Sequence, residues 1–484
     1  MNRMMKTKIL YIAGLLLFTV AFSSCNKDFL NEEPILQQTN EFTLSTFKGL
    51  NQATVGAYSP LFDTPWYGRN FVVAADIRSG NAKLSPKSSG RFRTEFQWGY
   101  NPGTAPGLWT TAYDAIARAN NVINAIDAEF SEDDVTQQEI DNVKAECLFI
   151  RAIGHFDLVR LYAQPYSHDK ASLGVPVILV TEIGLPERNT VEEVFTQVVN
   201  DLKEAESIIE SDYVRADGND NKGFVTKAAI QALLARVYLY MEDWQNAADY
   251  ATKLINNDEF QMYTTEEYTT WDNGGVFGLE AAKVPGEIIF EIYGSEGNTA
   301  HGNWDVIAYM LSPDGYGDVG ASQDLLDLFE EGDVRGNLFR THPDFGDALW
   351  SLKYPGKSGN LREENIPVLR LSEMYLIRAE ALLKGAVVSG ASAAGDYSVI
   401  RTNRGLTAVS SVSLQDVYNE RRRELCFEGH QLFDLARTKR ELVRNDYSGT
   451  VNQNVPFPDY KWAAPIPLGE TDANPNMQQN PNYN

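Results

Sequence analysis

Acidic and basic side chains crowd residues 419–437, where they could either perform acid–base chemistry or pair with one another. Glu424, Glu428 and Asp434 are of the type that hydrolyses glycosidic bonds when two carboxyl groups stand about 5 to 10 Å apart. Arg421 and Arg437 lie close by, however, and on a 3.6-residue period Arg421 and Glu428 fall on the apolar stripe. Buried charges are tolerated only when they are paired. We therefore predict that these five residues form structural ion pairs and that none of them is catalytic.

Aromatic and polar residues that could bind a sugar lie in two segments interrupted by glycine and proline, 59–108 and 258–365. Sugars present apolar C–H faces and hydroxyl edges, so a sugar site needs rings that stack and polar side chains that bond in the plane. Long loops are usually functional or disordered, and this aromatic content argues against disorder. The alternative is that the same rings anchor the loops in the core. The predicted ligand-binding residues are Trp66, Tyr67, Arg78, Trp98, Tyr100, Asn101, Trp304 and Tyr316.

Common catalytic signatures are missing from the sequence. It contains no Gly-x-Ser-x-Gly, HExxH or phosphate-binding loop, and its five histidines show no metal-ligand spacing. Residues 217–223 begin like a calcium loop, but Lys222 occupies the glycine position and Ala228 the position of the bidentate glutamate. We interpret this segment as a solvated turn. The sequence thus predicts no catalytic residue, no metal and no cofactor.

The N-terminus predicts a membrane anchor. Residues 1–24 resemble a bacterial lipoprotein signal, with basic residues first, an apolar run at 9–22 too short for a stable membrane helix, and small residues before Cys25. A thiol in this position can be linked to diacylglycerol, which would make residues 25–42 a polar, lipidated tether. Phe22 departs from the usual Leu of such sites, so the alternative is an ordinary cleaved signal that leaves a free Cys25.

The charge of the chain excludes some partners. Its 484 residues carry a formal net charge of −24. Such a surface repels phosphate backbones and anionic lipid headgroups. Nucleic acid is therefore not an expected partner, and any attachment to a membrane should depend on lipid and not on basic residues.

Helical repeats are the most specific structural signal. Between residues 227 and 257, small residues and aromatics recur with the spacing of a tetratricopeptide helix pair. One such pair cannot bury both of its faces, so neighbouring repeats are required. The predicted fold is mainly α, a tetratricopeptide-like helical-repeat superhelix with a large irregular, loop-rich lobe. We predict a single body at 43–484, with repeats at roughly 43–58, 109–257 and 366–445 and a ligand-binding lobe at roughly 59–108 and 258–365.

Several short motifs follow one another along the chain in a characteristic order. They are Asp28-Phe29-Leu30 after Cys25, the helical set Trp109, Tyr113, Ile116 and Asn120, then Gly332-Asp333-Val334-Arg335, Arg370-Leu371-Ser372-Glu373, the stretch 420–429 with Asp434 and Arg437, and Pro465-Ile466-Pro467. In this order they resemble the SusD/RagB family of Bacteroidetes outer-membrane lipoproteins. Gln431, Leu432 and Ala436 depart from the residues common in that family, which removes one ion-pair partner and leaves the fold expectation intact.

The resemblance implies a glycan-binding lipoprotein of the cell outer membrane that faces the exterior and has no catalysis of its own. It would hand oligosaccharides to a SusC-like TonB-dependent barrel transporter, so the implied partners are an oligosaccharide or polysaccharide, this transporter, and the membrane through an N-terminal lipid. Two alternatives remain. One is a tetratricopeptide-like scaffold subunit of the transporter that binds peptides or glycopeptides, and the other is a secreted glycosidase.

Overall fold

The computed structural model describes residues 43–215, 222–269, 277, 285–294 and 304–483. The predicted signal, Cys25 and the tether therefore lie outside the described residues, as does most of the calcium-like turn. Within the described ranges, no helix is both long and apolar enough to cross a membrane.

Helices dominate the structure. The longer ones are α1 Phe47–Tyr58, α2 Asn70–Arg78, α3 Leu108–Asp127, α4 Gln137–Tyr162, α5 Val191–Ile208, α6 Lys227–Tyr240, α7 Trp244–Ile255, α8 Leu371–Leu383, α9 Ala393–Asn403, α10 Leu414–Glu424 and α11 Gln431–Arg437. From α3 to α9 each helix packs on the next along the chain, and α1 packs across α3 and α4. This arrangement confirms the mainly α, tetratricopeptide-like prediction.

Local sequence determines where α4 begins and how closely it approaches α3. The hydroxyl of Thr136 accepts from the backbone N–H of Glu139 at 3.2 Å, and the Glu139 carboxylate accepts from the backbone N–H of Thr136 at 2.8 Å. This capping box satisfies two helix-end donors. Further along α4, a Cβ added at Gly154 would come within 2.9 Å of Ile116 Cγ1 on α3. Gly154 therefore permits close contact between these two helices.

Three small antiparallel sheets lie in the described part of the chain. Their strands are β1 Ala82–Leu84, β2 Ile288–Ile292, β3 Val319–Ala321, β4 Phe339–Arg340, β5 Trp350–Ser351 and β6 Ile366–Arg370. β1 pairs with β3, with Lys83 opposite Gly320, which joins the segment 59–108 to the segment 258–365. β2 pairs with β6 through a β-bulge, which connects the loop-rich lobe to the start of the following helical region.

Two segments differ from their predicted local structure. The segment 59–108 was expected to be irregular, yet α2 lies within it, and seven of its nine residues are buried. The segment 366–445 was expected to be helical from its start, yet residues 366–370 form β6 and α8 begins only at Leu371. In both places burial on more than one side hides the periodicity that would reveal the element.

Glu424 lies at the centre of a buried cluster of ion pairs. Its carboxylate accepts from Arg404 at 2.9 Å and from Arg335 and Arg370 at 3.1 Å each. Burial alone would raise the pKa of this carboxyl, but Arg404 and Arg370 overcome that effect and hold the pKa well below its usual range. Glu424 thus stays ionised and joins four parts of the chain that are distant in sequence.

Glu428 and Asp434 make further buried pairs in this region. Glu428 accepts from Lys353 at 2.6 Å and from Arg370 at 2.8 Å. Asp434 accepts from Arg421 at 3.0 Å and from Arg437 at 2.7 Å. All of these side chains are buried. The charges of the stretch 419–437 therefore fasten α10 and α11 to the rest of the body.

Candidate ligand-binding site

A cavity of about 150 Å³ lies where α2 and the segment 93–107 meet α4 and α11. Polar side chains of four residues line it, namely Asn70, Arg78, Glu95 and Tyr100. The remaining lining residues are mostly apolar or small, and they are Pro65, Phe71, Ala74, Ala75, Thr104, Ala105, Pro106, Gly107, Leu161, Leu432 and Phe433. A few convergent polar groups in an apolar cleft are typical of a small-ligand site.

Arg78 supplies the positive charge of the cavity. The side chain is only 2% exposed. Its guanidinium carbon lies 4.3 Å from the centre of the Trp98 ring and 5.3 Å from that of the Tyr100 ring. One nitrogen, Nη2, donates to the carbonyl oxygen of Lys461 at 3.0 Å, and Nε has no partner within the described chain. Burial lowers the pKa of Arg78, since removal from water disfavours its charge.

Trp98, one of the predicted stacking residues, is buried, and its ring packs beside Arg78. Its indole Nε1 donates to the carbonyl oxygen of Arg78 at 2.9 Å. The ring packs edge-on against Trp462, with the centroids 4.8 Å apart. Trp98 also adopts a left-handed backbone conformation, with φ at 51°. Non-glycine residues in this region carry strain and often occur at functional sites.

Glu95 and Tyr100 form the acidic side of the cavity. The Tyr100 hydroxyl donates to Glu95 Oε1 at 3.3 Å. Burial raises the pKa of Glu95 and that of Tyr100. Asn101, the next residue, is exposed, and its side chain accepts from the backbone N–H of Gly103 at 2.9 Å. Asn101 therefore caps a short turn at the rim and does not line the cavity.

Three aromatic side chains, Trp304, Tyr309 and Tyr316, form what we call the aromatic ridge. Trp304 contacts Tyr309 edge-on, with the centroids 5.0 Å apart, and Tyr309 contacts Tyr316 in the same way at 5.0 Å. Trp304 is 48% exposed, whereas Tyr316 is half-buried beneath the guanidinium of Arg91, which lies 4.1 Å from the ring centre. An exposed indole held by neighbouring rings can stack on the apolar face of a sugar.

Arg69 connects the aromatic ridge to the cavity. Its guanidinium pairs with Asp305, the neighbour of Trp304 in sequence, and its Nε donates to Asn70 Oδ1 at 2.8 Å. The backbone N–H of Ile307 also donates to the carbonyl oxygen of Gly68 at 2.8 Å. The two segments predicted to form the lobe thus meet here as well as at the pairing of β1 with β3, and the contacts of Arg69 link Asn70 of the cavity to Asp305 beside Trp304.

Trp66 and Tyr67 do not belong to this site, which corrects the prediction that they bind ligand. Trp66 is fully buried, and its indole Nε1 donates to Asp157 Oδ2 of α4 at 2.7 Å. Tyr67 is buried against Trp66, with the ring centroids 5.7 Å apart. Both residues precede α2, and the contact of Trp66 with Asp157 ties this pair of rings to α4, away from the surface. They anchor the lobe, as the alternative interpretation of loop aromatics expected.

Sequence reasoning missed Asn70 and Glu95 in the cavity and Arg69 and Tyr309 beside it. Each lies within a few residues of a predicted one, so the segments were predicted better than their individual members. A helical spacing between Asn70 and Arg78 would have placed both near one face, but the apolar run between them obscured it.

The helical repeats and the lobe together define a tetratricopeptide-like protein whose candidate site lies where the lobe meets the helices. Two sequence families match this chain. A SusD-like family described as starch-binding and associating with the outer membrane matches residues 28–239, and the SusD family matches residues 350–483. The chain belongs to the SusD/RagB family.

Individual relatives extend over most of the chain. The solved structure of a SusD superfamily protein from Bacteroides vulgatus is 30% identical, covers 91% of this chain and 99% of its own, and gives a TM-score of 0.80. A SusD-like protein of Bacteroides ovatus is 26% identical over 489 residues, which span 90% of this chain and 83% of the relative. Starch-binding protein SusD of Bacteroides thetaiotaomicron is 33% identical over 127 residues, 25% of this chain and 22% of the relative.

Proposed function

We propose that this protein is a surface-exposed, lipid-anchored glycan-binding protein that captures oligosaccharides and delivers them to a TonB-dependent outer-membrane transporter without catalysing a reaction. The observation that carries the proposal is the composite site. Trp304 offers an exposed indole, and the contacts of Arg69 link its neighbour Asp305 to Asn70 of a cavity that offers a guanidinium, a carboxyl group, an amide and a phenol. These groups match the alternating apolar faces and hydroxyl edges of a sugar chain.

The names of the relatives support the same function. One relative is called a starch-binding protein, and the family that matches residues 28–239 is described as starch-binding and associated with the outer membrane. These names describe binding, and the charged residues of the stretch 419–437, the most acid-rich candidate for catalysis, are occupied by ion pairs. A binding role is therefore favoured over hydrolysis.

Glycan binding is tested with the soluble chain, residues 26–484, on a panel of oligosaccharides and polysaccharides. Calorimetry and affinity electrophoresis measure binding, and chromatography of the products checks for cleavage. We expect Trp304→Ala to weaken binding at least tenfold. Tyr293→Ala is the matched control, because Tyr293 is 49% exposed and lies outside the site. Equal affinities of the two variants would rule out the aromatic ridge, and release of sugar would rule out a role confined to binding.

Anchoring and delivery need separate experiments in cells. Cys25→Ser should release the protein from the membrane fraction, and its retention there would contradict the lipid anchor. The native protein should co-purify with a barrel transporter after mild detergent extraction. Uptake of a bound oligosaccharide should fall in the Trp304→Ala strain, while co-purification with the transporter should persist. A protein that binds the transporter but no glycan would instead be the scaffold subunit considered above.

A further inference from the structure

Arg78 differs from other buried arginines of this protein in how few partners it has. Arg370 and Arg404 each approach a carboxylate within 2.9 Å. Arg188 and Arg444 lack a carboxylate, but all three nitrogens of each guanidinium donate to carbonyl oxygens. Arg78 has no ion pair within the described residues and makes one hydrogen bond, from Nη2. A buried charge with so few partners is costly, so an acceptor from outside the chain would stabilise it.

The segment that forms the cavity is also basic, in contrast to the rest of the chain. Residues 66–107 contain six lysines and arginines but only two acidic residues, while the whole chain has a net charge of −24. Three of these six basic side chains are paired with carboxylates, Arg69 with Asp305, Lys83 with Asp446 and Arg91 with Asp318. Arg78 is the one basic residue among those that line the cavity, and its positive charge attracts an anion there.

Glu95 is the only acidic residue among those that line the cavity. Its carboxyl accepts a hydrogen bond from Tyr100, and burial raises its pKa, so it resists ionisation more than an exposed glutamate does. Its repulsion of a bound anion is correspondingly weakened. The cavity volume of about 150 Å³ equals that of roughly five waters, which suits one sugar unit or its substituent.

We propose that the site selects oligosaccharides that carry an anionic substituent, a carboxylate or a sulfate, and that Arg78 binds this substituent inside the cavity while the sugar chain continues across the aromatic ridge. The inference rests on the glycan-binding function proposed above. Guanidinium groups suit this role because their planar donors match the oxygens of carboxylates and sulfates. A neutral glycan would supply no negative group to pair with the Arg78 guanidinium.

The test uses two pairs of probes with the chain 26–484, and each pair differs only in charge. Trigalacturonate is compared with its methyl ester, and a sulfated galactan trisaccharide with its desulfated form. Calorimetry should show that one charged probe binds at least tenfold more tightly than its neutral partner, with an affinity that falls as salt is raised. The pair that shows this preference identifies the substituent as carboxylate or sulfate.

Variants connect the preference to Arg78. Arg78→Gln should abolish the preference for the charged probe while binding of the neutral probe persists. If Arg78→Gln does not fold, Glu95→Gln serves instead, because removal of the cavity carboxyl should increase affinity for the charged probe by a few fold. Equal binding of charged and neutral probes would overturn the inference and leave the proposed function standing. Failure of every probe and of the wider glycan panel would overturn both.

Discussion

Trp98 and Arg78 hold each other in place through two contacts. The indole Nε1 of Trp98 donates to the carbonyl oxygen of Arg78 at 2.9 Å, and the guanidinium of Arg78 lies 4.3 Å from the centre of the Trp98 ring. A cation this close to an indole face contributes about 0.5 to 2 kcal/mol. Trp98 thus fixes the position of Arg78, and we expect any effect of Trp98 on a ligand to act through the arginine.

Trp98→Phe should lower both stability and glycan affinity. The phenyl ring keeps much of the buried apolar area but cannot donate, which leaves the Arg78 carbonyl without that partner. We expect the free energy of unfolding to fall by about 1 to 3 kcal/mol, measured by urea denaturation. Trp66→Phe is the matched control, because Trp66 is also buried and also donates through Nε1. The Trp66→Phe variant should lose comparable stability but keep its glycan affinity. A loss of affinity in this variant would indicate that Trp66 belongs to the binding site.

Gly154→Ala should destabilise the contact between α3 and α4. The new methyl group would meet Ile116 Cγ1 at 2.9 Å, and overpacking of this kind costs about 1 to 3 kcal/mol. Gly56 in α1 is the matched control, since a Cβ there meets no atom within 4 Å. Gly56→Ala should stabilise the protein by up to about 1 kcal/mol through helix propensity alone. Thermal unfolding measures the midpoint temperature of both variants. If the two midpoints moved in the same direction, the predicted overpacking at Gly154 would be wrong.

Glu428→Ala should be strongly destabilising, because it leaves Lys353 and Arg370 buried with one partner fewer. Breaking a buried pair in this way costs about 3 to 5 kcal/mol. Asp114→Ala removes a pair with Arg118 whose side chains are both 45% exposed, and exposed pairs contribute about 0.2 to 1 kcal/mol. Urea denaturation should separate the two variants clearly. If the Glu428→Ala protein were fully stable but bound no glycan, the binding site would have to lie at α10 and its neighbours instead.

Glu206 should make stability depend on acid pH. Burial alone would raise its pKa, but hydrogen bonds from Tyr250, Lys203 and Lys253 lower it to about 2, against 4.5 for a free glutamate. Because the folded pKa is the lower one, the contribution to stability is complete above about pH 4.5 and is lost as the pH falls towards 2. The difference in unfolding free energy between the native protein and Glu206→Gln should therefore shrink over that range.

The control for this pH effect is Glu192→Gln, which removes a half-exposed pair with Lys170. It should change the free energy of unfolding little at any pH. If the difference caused by Glu206→Gln were constant from about pH 6 to about pH 3, the hydrogen-bonded network around Glu206 would not set its pKa.

Much of the helical body could be predicted from the sequence because its helices bury one face and expose another. Val194, Val198, Leu202 and Ala205 of α5 show the 3.6-residue spacing, and all four are buried. The same reasoning failed for α2, where seven of nine residues are buried and no polar face interrupts the apolar run. Strand β2 pairs with β6 across more than 70 positions, and no local pattern encodes a partner that distant.

The site was predictable only at the level of segments. The composition of 59–108 and 258–365 indicated aromatic, polar loops, and these segments do meet through Arg69 and Asp305. Composition does not reveal, however, whether a given aromatic ring is buried or exposed. Trp66 and Trp304 lie in equally irregular sequence, yet one is fully buried and the other is 48% exposed. The difference arises from tertiary contacts, such as the hydrogen bond from Trp66 to Asp157 of α4, 91 positions away.

The hydrogen bond from Arg78 to the Lys461 carbonyl spans 383 positions of the chain. Synthesis delivers residue 78 long before residue 461, so during that interval the guanidinium lacks its acceptor and Trp98 lacks the edge-on contact with Trp462. The repeats can assemble in order as they emerge, since each packs on the next. The candidate site is completed last, because its arginine waits for an acceptor near the C-terminus. A partly synthesised chain can therefore hold folded repeats while its candidate site is still incomplete.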